Sequence, residues 1–305
     1  LSTAPTASAD FDAEPRTRFV ACQRGVHLHR MAYHEWGPER ADHVVVCVHG
    51  LSRQGRDFDT LARDLLAHAK QPLRVVCPDV LGRGRSDRLA DPMGYQIAGY
   101  VADMVTLLAR LDAPRIDWVG TSMGGVIGLG VAALTGSPLA RFVINDVGPV
   151  IEAAALARIG TYLGQPARYA SLEAAADAMW AVSRGFGPHT REEWLALSAP
   201  QIVPDPEAPG TWKPHVDPAI AVPFAAVTPE AAAAGTAALW AAWDSLRLPV
   251  LLLRGADSDL LSAATARAMT LRGPKARLVE FAGVGHAPTL VAAEQRAAVR
   301  DFLLD

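Results

Sequence analysis

Short, β-branched apolar runs alternate along the chain with helical patterns, and this alternation constrains the fold more than any other feature. The runs fall at 18–22, 26–33, 43–49, 73–77, 116–120, 141–146, 249–254 and 276–281. From Val44 onward most are almost continuously apolar, as strands buried on both faces of a parallel sheet are. Helical patterns at 57–69, 97–111, 123–134, 263–271 and 292–303 separate them. The order predicts an α/β fold, a doubly wound and mostly parallel eight-stranded sheet with right-handed crossovers. The first two runs have no helix between them and are expected to form an antiparallel hairpin at a sheet edge.

The alternation stops after Asp146 and resumes near Leu248. The intervening stretch is rich in Ala and Trp and reads as helices at 151–160, 171–183, 190–198 and 228–246, with a proline-rich loop at 200–223. So long an excursion between two core strands predicts a lid or cap, here between strands 6 and 7. The expected organisation is a core of 17–146 and 247–305, a helical cap of 147–246 and a disordered arm of 1–16. The arm lacks the positive start and apolar stretch of a signal peptide. Residues 118–140 carry no charge, but their glycines and the Thr-Gly-Ser-Pro at 135–138 argue for a buried strand, turn and helix instead of a membrane span.

A net charge of −3 and the absence of a basic run argue against nucleic-acid binding and against a polybasic membrane anchor. Cys47 and Cys77 lie inside apolar runs and read as small buried hydrophobes, and with Cys22 they cannot all pair within the chain. A reducing cytoplasm is the expected setting. Neither a zinc-spaced Cys pair, nor His-Glu-x-x-His, nor a phosphate-cradling loop with a Lys occurs, so no metal or cofactor is expected. The sequence leaves a homo-oligomer open.

Three motifs carry chemistry. Gly120-Thr121-Ser122-Met123-Gly124-Gly125 follows a predicted strand and opens a predicted helix, the context in which a G-x-S-x-G turn exposes a nucleophilic serine. The turn is tight enough that side chains two before and two after the serine would collide. The run ending Val48-His49-Gly50-Leu51 closes a second strand. The loop after such a strand supplies one backbone N–H to an oxyanion, and the residue after the nucleophile supplies the other, which nominates Leu51 and Met123. His49 is expected to shape that loop. Gly283-Val284-Gly285-His286-Ala287-Pro288 follows the last strand, and His286 is the only histidine beyond the cap, a candidate general base for Ser122.

With these motifs in place, the chain from Phe19 to its end resembles the α/β-hydrolase family, in its serine-nucleophile branch with a helical cap. The Asp79-Val80-Leu81-Gly82-Arg83-Gly84-Arg85-Ser86-Asp87 loop is similar to the loop after the fourth strand in that family and is read as structural. The resemblance implies an acid to orient His286. Its usual place, after the strand that follows the cap, is Ser258 here, flanked by Asp257 and Asp259. A second place, at the end of the preceding strand, holds Asp146. Asp259 is the leading candidate, with Asp257 and Asp146 as alternatives.

The activity implied is hydrolysis of a small or medium-sized carboxylic ester through an acyl-enzyme. Carbon–carbon hydrolysis of vinylogous diketones and lactone hydrolysis are the alternatives. The carbon–carbon relatives carry Asn before the serine and Trp after the histidine, where this chain has Thr121 and Ala287. A ligand receptor without activity is a further, less favoured alternative. Cap aromatics (Tyr162, Tyr169, Trp180, Phe186, Trp194, Trp212) are divided between packing the cap and lining a pocket. Trp180 and Phe186, with Arg53, are the pocket candidates.

Overall fold

The computed structural model describes residues 14–305. In chain order the elements are β1 (Arg16–Arg24), β2 (His27–Trp36), β3 (His43–Val48), α1 (Asp59–His68), β4 (Leu73–Pro78), α2 (Ile97–Leu111), β5 (Arg115–Thr121), α3 (Met123–Ala132) and β6 (Leu139–Asn145). Then come α4 (Ala153–Gly160), α5 (Leu172–Val182), α6 (Arg191–Ser198), β7 (Ile202–Pro204), β8 (Trp212–Pro214), α7 (Ala221–Ala225) and α8 (Pro229–Ser245). The chain closes with β9 (Val250–Gly255), α9 (Ala263–Leu271), β10 (Arg277–Phe281) and α10 (Ala293–Leu304). The main sheet has eight strands in the order β1-β2-β4-β3-β5-β6-β9-β10. β2 runs antiparallel to β1 and β4, and the other pairings are parallel. The predicted hairpin is the β1–β2 edge pair. Arg16 already pairs with Glu35 in that hairpin, so the strand begins inside the stretch expected to be an arm. Residues 1–13 of that expectation lie outside the described residues.

The sheet buries both faces, and the two-residue period of its strands sorts side chains between two cores. Val44, Val46 and Val48 of β3 face the core beneath α2, α3 and α8, whereas Val45 and Cys47 face the core beneath α1 and α10. β9 divides the same way, with Val250 and Leu252 on one side and Leu251 and Leu253 on the other. An apolar pattern alike on both faces sets strand register weakly. A polar clasp supplies what the pattern lacks: Asp117 of β5, fully buried, takes His43 Nε2 at 2.7 Å and Arg115 Nη2 at 2.9 Å, next to the His43–Arg115 register pair.

The helices follow from their faces and ends. α2 buries Tyr100, Met104, Leu107, Leu108 and Leu111 on one stripe and ends where Asp112 turns left-handed, at φ 44°. α6 starts with a capping box, Thr190 and Glu193 bonding each other's backbone. The uncharged segment predicted as strand, turn and helix is β5, the Ser122 turn and α3. Among the described residues no single helix is long and apolar enough to cross a membrane.

Between β6 and β9 lie α4 to α8 together with a small β7–β8 hairpin. The hairpin and the first half of α7 fall in the stretch read from sequence as a proline-rich loop. Strands of three residues are too short to show a period, which is why they were not legible. This excursion is stitched to the sheet side. Gly84 N–H donates to the His215 carbonyl at 2.9 Å, Asp217 N–H to the Gly82 carbonyl at 2.7 Å, and Tyr95 Oη to Asp217 Oδ2 at 2.6 Å. Inside the Asp79–Asp87 loop, burial raises the Asp79 carboxyl. Hydrogen bonds from His34 and from the Arg85 and Gly55 N–H groups outweigh it and hold the carboxyl below its ordinary range.

Candidate active site

The β5–α3 turn is built by what its glycines lack. A Cβ on Gly120 would overlap the Gly124 carbonyl, and one on Gly124 would overlap the Val48 carbonyl of β3. Ser122 between them sits at φ 52°, ψ −116°, a conformation that L-residues hold only when the surrounding structure enforces it. It leaves the serine side chain in the cavity at the carboxyl ends of the strands.

His286, in the loop after β10, reaches this serine. Its Nε2 is 2.9 Å from Ser122 Oγ, and its Nδ1 is 2.8 Å from Asp146 Oδ2. Asp146 lies one residue past the end of β6, fully buried, on left-handed backbone at φ 57°. A carboxylate at Nδ1 makes that nitrogen the donor and leaves Nε2 to accept the serine proton. Asp146 is itself held: Gly255 N–H donates to Oδ1 at 3.0 Å and Ser258 Oγ to Oδ2 at 2.7 Å.

Asp259, the leading sequence candidate for the acid, is not beside His286. Its carboxylate forms a two-toothed pair with Arg158 at 2.7 and 2.9 Å, and that hydrogen bonding holds its carboxyl below the usual range. Asp257 is exposed, and among the described residues only its backbone is engaged, with N–H donating to the Val284 carbonyl at 2.9 Å. The tight turn that bonds Ser258 N–H to the Gly255 carbonyl at 2.9 Å aims residue 258 inward and its neighbours outward. With a serine at 258, the carboxylate that meets His286 comes from the neighbouring strand.

Met123 follows Ser122 in the turn, and Leu51 lies in the loop after β3. Neither backbone N–H has a hydrogen-bond acceptor among the described residues, and Met123 is the first residue of α3, where N–H groups are left without intrahelical partners. A Cβ on Gly50 would lie 3.7 Å from the Ser122 Cβ, so the loop carrying Leu51 passes close to the serine. His49 shapes this loop. It is fully buried, its Nδ1 donates to the Gly50 carbonyl at 2.7 Å, and its Nε2 accepts from Val80 N–H at 2.9 Å.

Burial pushes the His49 imidazole down to about 4 from an ordinary 6.5, against the pull of the Gly50 hydrogen bond. An unfolded chain therefore binds a proton that the folded one refuses between those two values. The stability this contributes is complete above pH 6.5 and is lost as pH falls toward about 4. His49→Gln is expected to show a flatter thermal midpoint over that window than the wild type. Equal slopes for the two proteins would contradict this account.

A cavity of about 850 Å³ opens over Ser122 and His286. Its wall combines sheet-side residues such as Leu51 and Thr289 with Ile159, Tyr162, Leu163 and Leu197 from the excursion. Arg53 and Phe186 are among its lining residues, but the Arg53 guanidinium is already committed. It forks onto Asp57 at 2.8 and 2.7 Å and reaches the Leu197 carbonyl at 3.2 Å. Gln201 also donates to Asp57, at 2.7 Å, so this pair latches the excursion to the sheet side. Trp180 does not line the cavity. It packs against Trp194 with ring centroids 4.7 Å apart and borders a separate small pocket with His189, because α5 turns that face toward α6.

Sequence reasoning missed Asn145. Its buried side-chain amide donates to Thr121 Oγ1 at 3.0 Å and to the Pro288 carbonyl at 2.8 Å, tying the serine turn to the His286 loop. No spacing in the sequence signals that bridge. Among the described residues one group of potential metal ligands is close-set: Cys22, His29 and Asp103. It lies away from the cavity, and Asp103 there already takes Arg24 at 2.7 Å and His29 at 3.0 Å.

A serine hydroxyl, an imidazole and a buried carboxylate in hydrogen-bonded series suit proton removal from the hydroxyl. The family model described as "Alpha/beta hydrolase family" matches residues 45–302, and the chain belongs to that family. It is a hydrolase with the α/β-hydrolase fold. It is 50% identical over 291 residues to a 3-hydroxybutyrate-oligomer hydrolase of Cupriavidus necator, covering 95% of this chain and 98% of the relative. The crystal structure of an alpha/beta hydrolase from Novosphingobium aromaticivorans superposes with a TM-score of 0.82 at 34% identity, covering 95% of this chain and 98% of that one. A 2-hydroxymuconate semialdehyde hydrolase of a Pseudomonas species is 25% identical, over 76% of this chain and 77% of the relative.

Proposed function

We propose that this hydrolase cleaves carboxylic esters, with short linear oligoesters of 3-hydroxybutyrate as its substrate class, through an acyl-enzyme on Ser122. The observation that carries the reading is the hydrogen-bonded series Ser122 Oγ, His286 and Asp146, at 2.9 and 2.8 Å. His286 Nε2 takes the hydroxyl proton as Ser122 Oγ attacks the ester carbonyl. The Leu51 and Met123 N–H groups receive the oxyanion. Asp146 keeps Nδ1–H in place and stabilises the imidazolium. His286 then protonates the departing hydroxy-acid oxygen, and a water activated by the same imidazole releases the acyl group.

The substrate class rests on the 50% identity to the Cupriavidus relative along almost the whole of both chains. The cavity supports it. Its volume, about 850 Å³, lies in the upper part of the range for pockets that enclose drug-sized ligands. Apolar walls suit the methyl and methylene groups of such an oligomer, and Arg88 on the same lining, which faces no acid among the described residues, suits its terminal carboxylate, whereas Arg168 and Lys213 are already paired with Asp205.

The test is incubation of purified protein with 3-hydroxybutyrate dimer and trimer and with p-nitrophenyl esters from acetate to dodecanoate, alongside Ser122→Ala. Serine-dependent release of monomer is expected. The resemblance to the 2-hydroxymuconate semialdehyde hydrolase favours a second reading, carbon–carbon hydrolysis of a vinylogous diketone. Cleavage of a dienone substrate with no release from any ester would overturn the ester reading in its favour.

A further inference from the structure

Arg83 lies in the loop after β4 and is 1% exposed. A buried guanidinium ordinarily faces a carboxylate, because an unpaired charge is costly to remove from water. Among the described residues Arg83 has only neutral partners. Nε donates to the Leu51 carbonyl at 2.9 Å, and Nη1 donates to the Leu81 carbonyl and to Tyr100 Oη, both at 2.7 Å. Nη2 is 3.6 Å from Met123 Sδ. The rings of Tyr95 and Tyr100 lie 5.8 and 5.2 Å from the guanidinium carbon. Asp217 is taken by the Tyr95 hydroxyl, so Arg83 meets the tyrosine ring instead of the acid.

Two of these partners, Leu51 and Met123, are the residues whose N–H groups are proposed to receive the oxyanion. Leu51 lines the cavity and Arg83 does not, so the guanidinium stands behind the wall that faces the reacting carbonyl. We infer that Arg83 is a positioning residue for the oxyanion site, bracing Leu51 and Met123 from behind and lending the site the field of a charge that no carboxylate among the described residues pairs with directly. In a buried setting that field is weakly screened. The negative charge it favours exists only once the tetrahedral intermediate begins to form, so its effect belongs in kcat and not in KM. The backbone of the same residue bridges Val216 of the excursion. Arg83 thus joins the seat of the excursion to the oxyanion site.

The inference rests on the serine-hydrolase reading, and the experiment separates the two. Arg83→Met and Arg83→Lys are compared with the wild type by ester kinetics, thermal midpoint and inhibition by an alkyl boronic acid, which forms an anionic tetrahedral adduct on a nucleophilic serine. For Arg83→Met we expect kcat to fall by about 30-fold or more, KM to stay within about 3-fold, and boronate affinity to weaken in step with kcat. Arg83→Lys keeps the charge and loses the fork, and is expected to recover part of that loss.

A folded Arg83→Met protein whose kcat and boronate affinity match the wild type would overturn the inference. A purely structural staple would move the thermal midpoint and leave both of those unchanged. Should Arg83→Met fail to fold, Arg83→Lys decides. It is expected to lose about 5-fold in kcat at constant KM, and an unchanged kcat would overturn the inference. Ester turnover that survives Ser122→Ala overturns the underlying reading instead, and this inference with it.

Discussion

Ser122→Ala is expected to lower kcat for ester hydrolysis by at least about 10³-fold while leaving the fold in place. The loss is large because the substitution removes the atom proposed to form the acyl bond, and the imidazole cannot replace it. Residual turnover above water would come from the oxyanion donors and from binding alone. The fold should tolerate the change. The strained backbone at φ 52° is imposed by the close approach of Gly124 to Val48 and remains the same for alanine. Measuring kcat together with the thermal midpoint decides the matter. A well-folded alanine variant with kcat near that of the wild type would remove Ser122 from the mechanism.

Asp146→Asn carries the second large effect, an expected fall in kcat of about 10³- to 10⁴-fold. An amide at this place is free to offer its carbonyl or its NH₂ to Nδ1, so the imidazole loses the fixed tautomer that leaves Nε2 ready for the serine proton. It also loses the charge that stabilises imidazolium. Asp259→Ala and Asp257→Ala are expected to stay within about 3-fold of the wild type, since one carboxylate faces Arg158 and the other is exposed. Ser258→Ala should fall between these extremes, because it removes one of the hydrogen bonds that hold Asp146. Parallel assays of the four variants settle the acid. A severe loss in Asp259→Ala with a mild one in Asp146→Asn would reverse the assignment.

Much of this arrangement was legible in the sequence for identifiable reasons. Strands buried on both faces are apolar along most of their length, so β3, β4, β6 and β9 stand out against the amphipathic period of α2. The glycines around Ser122 and His286 mark turns that permit no other side chain or leave a loop free to reach across the sheet. The excursion announced itself by interrupting the alternation. Its small hairpin and α7 did not, because three residues hold no period and prolines suppress the helical signal.

The sequence by itself determined which residue types stand at strand ends, because local backbone sterics and hydrophobic periodicity act over a few neighbours. On that basis it placed Ser122, His49-Gly50-Leu51 and His286 on turns that open at one edge of a parallel sheet. Only the tertiary structure decided which aspartate meets His286, which cation is committed to an acid and which has neutral partners alone among the described residues. Asp146, Asp257 and Asp259 are equal as letters. They differ in the direction that a left-handed residue after β6 and a tight turn after β9 give to their side chains. Arg53 and Arg83 are likewise both arginines in loops. One forks onto Asp57, and the other is buried among carbonyls and tyrosine rings. Contacts between residues far apart in the chain depend on how the layers pack, and no local pattern encodes the distance between two side chains that meet across a sheet.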